Sequence, residues 1–172
     1  MQTSSNHSLK ISPIPAFTDN YIWAITKEGC RQLAVVDPGC ASAVIEYIEA
    51  NGYELHDILV THRHPDHVGG IEQLTAYCAQ KGWSITVYGP ANEHIPCCTV
   101  KLAEGDPVAL TGLDASFSVL DVPGHTLGHI AYLNDDILFC GDTLFSAGCG
   151  RLFDGTAQQL YHSLHKLANL PN

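Results

Sequence analysis

The sequence predicts a mixed α/β (α+β) fold in which two sheets are covered by helices. Three observations carry this. Strand-like and helix-like segments alternate in both halves of the 172 residues. Apolar residues make up 45% and charged residues 15%, the balance of a chain that buries a core. Each histidine-rich segment directly follows a strand-like run, as site loops do in open α/β sheets. The length suits one domain over residues 1–172.

The elements follow in order. Residues 11–16 and 21–26 read as two short strands around the turn Thr18-Asp19-Asn20, and residues 33–36 as a third, closed by Asp37-Pro38-Gly39. Val44, Ile45 and Ile48 fall at helical spacing in residues 41–50, and Asn51-Gly52 ends that run. Residues 58–60 form a buried strand that runs into a histidine cluster. A second helix is expected over 71–80 and a strand over 85–88. The second half is richer in strands, at 108–110, 116–120, 130–133 and 137–140. A last helix covers residues 156–170, with Leu160, Leu164 and Leu167 on one face.

The composition narrows partners and address. A formal net charge of −10 opposes binding to phosphate backbones, so no nucleic-acid partner is expected. No apolar run reaches the roughly 18 residues that span a bilayer, and residues 1–10 are polar, unlike a signal peptide. A cytoplasmic monomer is the expectation. Seven cysteines without a CxxC pair indicate reduced, mostly buried thiols rather than disulfides.

The ten histidines are the compositional anomaly. His62-Arg63-His64-Pro65-Asp66-His67 combines imidazole and carboxylate, the donors that divalent metals such as zinc prefer. In an extended segment His62 and His64 project to one side, while Asp66 and His67 follow where the chain turns. That split suits two metal ions rather than one. Pro123-Gly124-His125-Thr126-Leu127-Gly128-His129 and Gly141-Asp142-Thr143 add donors from two further strand ends. Asp142 can offer one oxygen to each ion. His125 and His129 compete for one ligand role; Gly124 permits a close backbone approach, which favours His125 and leaves His129 to support the site. His7, His56 and His94 read as surface or loop residues, and His162 and His165 as a solvated helix face. Asp37 serves either as a brace for the histidine loop or as a turn residue.

These motifs resemble the metallo-β-lactamase superfamily signature. Longer stretches resemble glyoxalase II, the hydroxyacylglutathione hydrolases: Ile14-Pro15-Ala16-Phe17 with Asp19-Asn20-Tyr21-Ile22-Trp23, Val87-Tyr88-Gly89-Pro90, and residues 139–153. The resemblance implies a four-layer αββα sandwich with two metal ions, commonly zinc, at its upper edge. His62, His64 and His125 would hold the first ion, Asp66 and His67 the second, and Asp142 would bridge. The implied reaction is hydrolysis of S-D-lactoylglutathione to D-lactate and glutathione, with Asp66 orienting the attacking water. By the same resemblance Arg151 would contact glutathione, and Phe153 stands where the family often has a tyrosine. Nothing matches the family's His-Glu-Tyr histidine or its helical domain, so the expectation is a C-terminally incomplete fold with an impaired second metal site. Alternatives from the same residues are a persulfide dioxygenase with one iron, or a non-catalytic metal-binding fragment.

Overall fold

The structure, a computed structural model, describes residues 9–171. Strands β1 (Leu9–Ala16), β2 (Asn20–Lys27), β3 (Gln32–Val36), β4 (Glu54–Leu59), β5 (Thr86–Pro90) and β6 (Val100–Leu102) form one sheet in that order. The pairs β1–β2 and β2–β3 are antiparallel, whereas β3–β4, β4–β5 and β5–β6 are parallel. Strands β7 (Pro107–Leu110), β8 (Ala115–Asp121), β9 (Ile130–Asn134) and β10 (Ile137–Phe139) form an antiparallel second sheet ordered β10-β9-β8-β7. Helices α1 (Ala41–Asn51) and α3 (Ile71–Lys81) cover the first sheet; α4 (Ala157–Ala168) covers the second. The short α2 (Pro65–Val68) lies between β4 and α3.

Side-chain alternation builds the four layers. In β3, Leu33 and Val35 pack toward α1 and α3, while Ala34 and Val36 point between the sheets. Ile58 and Leu59 of β4 divide the same way. At these positions both strands are buried on both faces, which is why residues 33–36 and 58–60 read as short continuous apolar runs. On the far side Val122, Ala131 and Leu167 form a smaller apolar layer under α4.

The expected αββα sandwich is the observed fold, with local differences. Strand β6 was not anticipated; three residues between turns leave no periodicity to read. Residues 65–68, expected only to turn, make one helical turn with Pro65 in its first position. On α4 the buried positions are Leu160, Ser163 and Leu167, with Leu164 half-buried, because Ser163 Oγ donates to Pro123 O at 2.7 Å and draws that face inward. Thr156 and Gln159 form a reciprocal cap at the start of α4, Gln159 N–H donating to Thr156 Oγ1 and Thr156 N–H to Gln159 Oε1. The expectation of mostly buried thiols is corrected: all seven cysteines are free, but only Cys78 is buried, and Cys97 and Cys149 are exposed in loops. Among the described residues no helix is long and apolar enough to cross a membrane. His7 lies outside the described residues.

Candidate metal centre

Three loops meet at one edge of the sandwich, following β4, β8 and β10. The first is anchored from both sheets. Tyr132, fully buried on β9, donates its hydroxyl to Val60 O at 2.7 Å, and Ile130 N–H donates to Thr61 O at 3.0 Å. Asp37, at the end of β3, accepts the Thr61 N–H on Oδ1 and the Thr61 hydroxyl on Oδ2, each at 2.7 Å. Asp37 is therefore a brace for this loop as well as a turn residue. The second loop is pressed against α4, since a Cβ at Gly124 (φ +151°) would lie 2.5 Å from Leu160 Cα. The close approach that Gly124 permits is to this helix.

His62, His64 and His125 form a cup. His62 Nε2 and His125 Nε2 each stand 3.0 Å from His64 Nδ1. The outer nitrogens show which inner nitrogens carry lone pairs. The Thr61 hydroxyl gives its proton to Asp37, so its oxygen accepts from His62 Nδ1–H at 3.1 Å and leaves His62 Nε2 unprotonated. His125 Nδ1–H donates to Arg151 O at 2.7 Å, which frees His125 Nε2 in the same way. Burial, reinforced by the neighbouring imidazoles, pushes His62 far below its ordinary value and lowers His64, so both rings are held neutral.

Asp142 reaches both donor sets. Its Oδ2 lies 3.4 Å from His125 Nε2 and its Oδ1 3.3 Å from His67 Nε2. Asp66 Oδ2 is 3.4 Å from the same His67 nitrogen and accepts from Asn20 Nδ2 at 2.8 Å. His67 Nδ1 stands 3.1 Å from Asp37 Oδ2. Burial alone would lower the His67 pKa, but Asp37 and Asp142 overcome it and push it up to about 10. Burial would likewise raise Asp142, yet His67 and His125 hold its carboxyl below the usual range.

Both ring nitrogens of His67 are buried without an aligned hydrogen bond, although carboxylate oxygens surround them. Two carboxylate oxygens gathered at His67 Nε2 fit a cation, and the inward Nε2 lone pairs of His62 and His125 beside His64 Nδ1 fit one equally. Asp37, His62 and His67 also cluster closely enough to hold an ion. The cup is the better site, because both Asp37 oxygens already bind Thr61.

His129 is not part of either set. Its ring stacks under His62 at 4.5 Å, its Nε2 accepts the Asp142 N–H at 3.2 Å, and its Nδ1 donates to Ile130 O at 3.1 Å. Burial and nearby His125 lower it to about 3. Phe153 packs on the cup, its ring 4.2 Å from His64 and 5.1 Å from His125, and the Arg151 guanidinium lies 4.3 Å above Phe153. His94 is exposed, while His56 is half-buried on β4 beside Glu54 rather than in a loop. His162 and His165 sit on exposed positions of α4 near Tyr161, away from the centre. Asn20 and Thr61 were visible only as parts of a turn and a motif; their roles depend on contacts across the sheet.

The sequence profile of the metallo-beta-lactamase superfamily matches residues 17–171. The chain belongs to that superfamily. It is 53% identical to a hydroxyacylglutathione hydrolase of Pseudomonas fluorescens over 95% of this chain, and 54% identical to one of Shewanella baltica, also over 95%. In both cases the chain spans 62% of the relative's length. Among solved structures it is similar to ETHE1 from Myxococcus xanthus (TM-score 0.80, 30% identity, 96% of this chain and 72% of that one). It is also similar to TTHA1623, solved in a di-iron-bound form (TM-score 0.72, 27% identity, 93% and 87%). The BLEG-1 B3 metallo-beta-lactamase shares the fold at 23% identity (TM-score 0.79, 94% and 87%).

Proposed function

We propose that this superfamily member is a metal-dependent thioester hydrolase that converts S-D-lactoylglutathione and water to D-lactate and glutathione. The observation that carries the metal part is the divided carboxylate of Asp142, one oxygen facing the three-histidine cup and the other facing His67. That arrangement supports two ions, with zinc favoured by the nitrogen-rich donor set. His62, His64, His125 and Asp142 would hold the first, and Asp66, His67 and Asp142 the second. The second set has fewer donors among the described residues, and we read it as the weaker. When bound, such ions supply Lewis acidity that lowers the pKa of water to near 7 and polarises a carbonyl.

The chain's own residues supply the rest. Asp66 is partly exposed at the rim and fixed by Asn20, placed to accept a hydrogen bond from a water and orient it toward an incoming carbonyl carbon. The departing thiolate, with a typical thiol pKa of about 8.5, needs little proton assistance. Arg151 is exposed, with no carboxylate partner among the described residues, and its cation on the Phe153 face suits an anionic glutathione arm. The thioester substrate class is supported by the relatives' names and by identity above 50% across the chain.

The test is thioester hydrolysis by zinc-loaded protein on S-D-lactoylglutathione, beside oxygen uptake with glutathione persulfide. Metal-dependent hydrolysis that disappears in Asp66→Ala is the expected result. Oxygen uptake without hydrolysis, or neither activity at full metal loading, overturns the reading.

A further inference from the structure

The loop after β5 contributes an almost fully buried carboxylate that belongs to neither donor set. The Glu93 side chain is 1% exposed. Its Oε2 accepts the backbone N–H of Arg63 at 2.6 Å, and its Oε1 accepts from Arg63 Nη1 at 3.2 Å and from Gly128 N–H at 3.1 Å. Asp154 mirrors it: Oδ2 accepts from Arg63 Nη2 at 2.7 Å and Oδ1 from the Leu127 N–H at 3.0 Å. One guanidinium and two consecutive peptide N–H groups therefore face each other across two carboxylates. Arg63 lies between His62 and His64, while Leu127 and Gly128 follow His125. Gly128 is shaped to this contact, since a Cβ there would come within 2.5 Å of Glu93 Cγ.

We propose that Glu93 is a positioning residue for the three-histidine cup, its buried carboxylate joining the loop that carries His62 and His64 to the loop that carries His125. Arg63 is the cross-link and Asp154 its outer partner. The geometry explains why a buried carboxylate is retained here. Three donors satisfy it, and two of them are backbone groups whose positions set the direction of neighbouring ligand side chains. An ordinary surface ion pair would have neither the burial nor the peptide contacts. The inference rests on the metal-binding reading of the site and is independent of the thioester reaction.

The test measures affinity for the first equivalent of Zn²⁺ by chelator competition, and the visible bands of the Co²⁺-loaded protein. Glu93→Ala and Arg63→Ala are compared with Leu74→Ala, a substitution in the apolar core on α3. Glu93→Ala is expected to weaken binding ten- to hundredfold and to alter the Co²⁺ bands, while Leu74→Ala moves neither. A change in Glu93→Ala of less than fivefold with unaltered bands overturns the proposal, as does equal weakening in Leu74→Ala. If Glu93→Ala does not fold, Arg63→Ala decides: weakening of at least threefold supports the proposal, and a smaller effect overturns it. Failure of the unsubstituted protein to bind either metal would overturn the metal reading itself; binding with unaffected variants overturns only the role of Glu93.

Discussion

Asp37 holds Thr61 at both ends of its carboxylate, Oδ1 on the backbone N–H and Oδ2 on the hydroxyl, each at 2.7 Å. Because the hydroxyl proton goes to Asp37, the Thr61 oxygen must accept from His62 Nδ1, which leaves Nε2 as a lone-pair donor. In Asp37→Asn the new amide can donate to Thr61, which turns the hydroxyl proton toward His62 Nδ1 and moves the imidazole proton to Nε2. We expect a fold near that of the original, losing about 1 kcal/mol, but at least tenfold weaker binding of the first metal ion. Calorimetric unfolding and chelator competition on the same preparation check this. Parallel losses in both would show that Asp37 acts on stability alone.

His64 and His129 are both close to His62, but only His64 presents a nitrogen to the cup. His64→Ala is expected to abolish tight binding of the first ion, with more than a hundredfold loss, because it removes one of three histidine donors. His129→Ala removes the support under His62 and the acceptor of the Asp142 N–H, for which about a tenfold loss is expected. Metal content after dialysis against a weak chelator separates the two. An inverted order would make His129 the ligand.

The contrast between these histidines marks the limit of what the sequence could reveal. His62, His64 and His67 stand in one short motif, and their placement follows from an extended segment entering a turn. The fold was legible for a similar reason: β3 is apolar on both faces from Leu33 to Val36 and keeps its signal without context. Glu93 and Asp154 carry no such signal. Each is a lone acid in a loop, and its role exists only because Arg63 and the 127–128 peptide reach it from elsewhere in the chain. Ser163 was hidden among leucines because its burial depends on one carbonyl, that of Pro123.

The metal-free protein should be most stable near pH 6.5. His67 is raised from its ordinary 6.5 to about 10 by Asp37 and Asp142 against the cost of burial. Its contribution is therefore complete below 6.5 and lost as pH rises toward 10. His129, lowered to about 3 by burial, behaves oppositely: its contribution is complete above 6.5 and lost as pH falls toward 3. Thermal unfolding of chelator-treated protein across this range should show a maximum, and His67→Gln should flatten the alkaline side, with a smaller change on the acid side through Asp142 and His129. Binding of a metal ion by His67 should also release a proton at neutral pH, measurable by calorimetry in buffers of different ionisation heat. An alkaline limb unchanged in His67→Gln would remove His67 from the account.

A second titration involves a carboxyl outside both donor sets. Asp57 occupies the middle of the central strand β4, paired with Ala34 of β3 and Thr86 of β5. Burial raises its carboxyl from 3.8 to about 6, with nearby His56 opposing the shift. Asp57 in turn adds to the burial that raises Tyr88. An acid whose folded pKa lies above its unfolded one binds its proton more tightly when folded, so stability falls as pH rises from 3.8 to about 6 and stays lower above that. Full burial would make this about 3 kcal/mol, and water reaching the half-buried carboxyl screens it to about 1 kcal/mol. Asp57→Asn should therefore stabilise the protein by about 1 kcal/mol at pH 8 and by nothing measurable below pH 4, as denaturant midpoints at the two pH values would show. A gain of equal size at both would trace the effect to packing rather than charge, and a loss at both would mean that the carboxylate has a partner that Asn cannot replace.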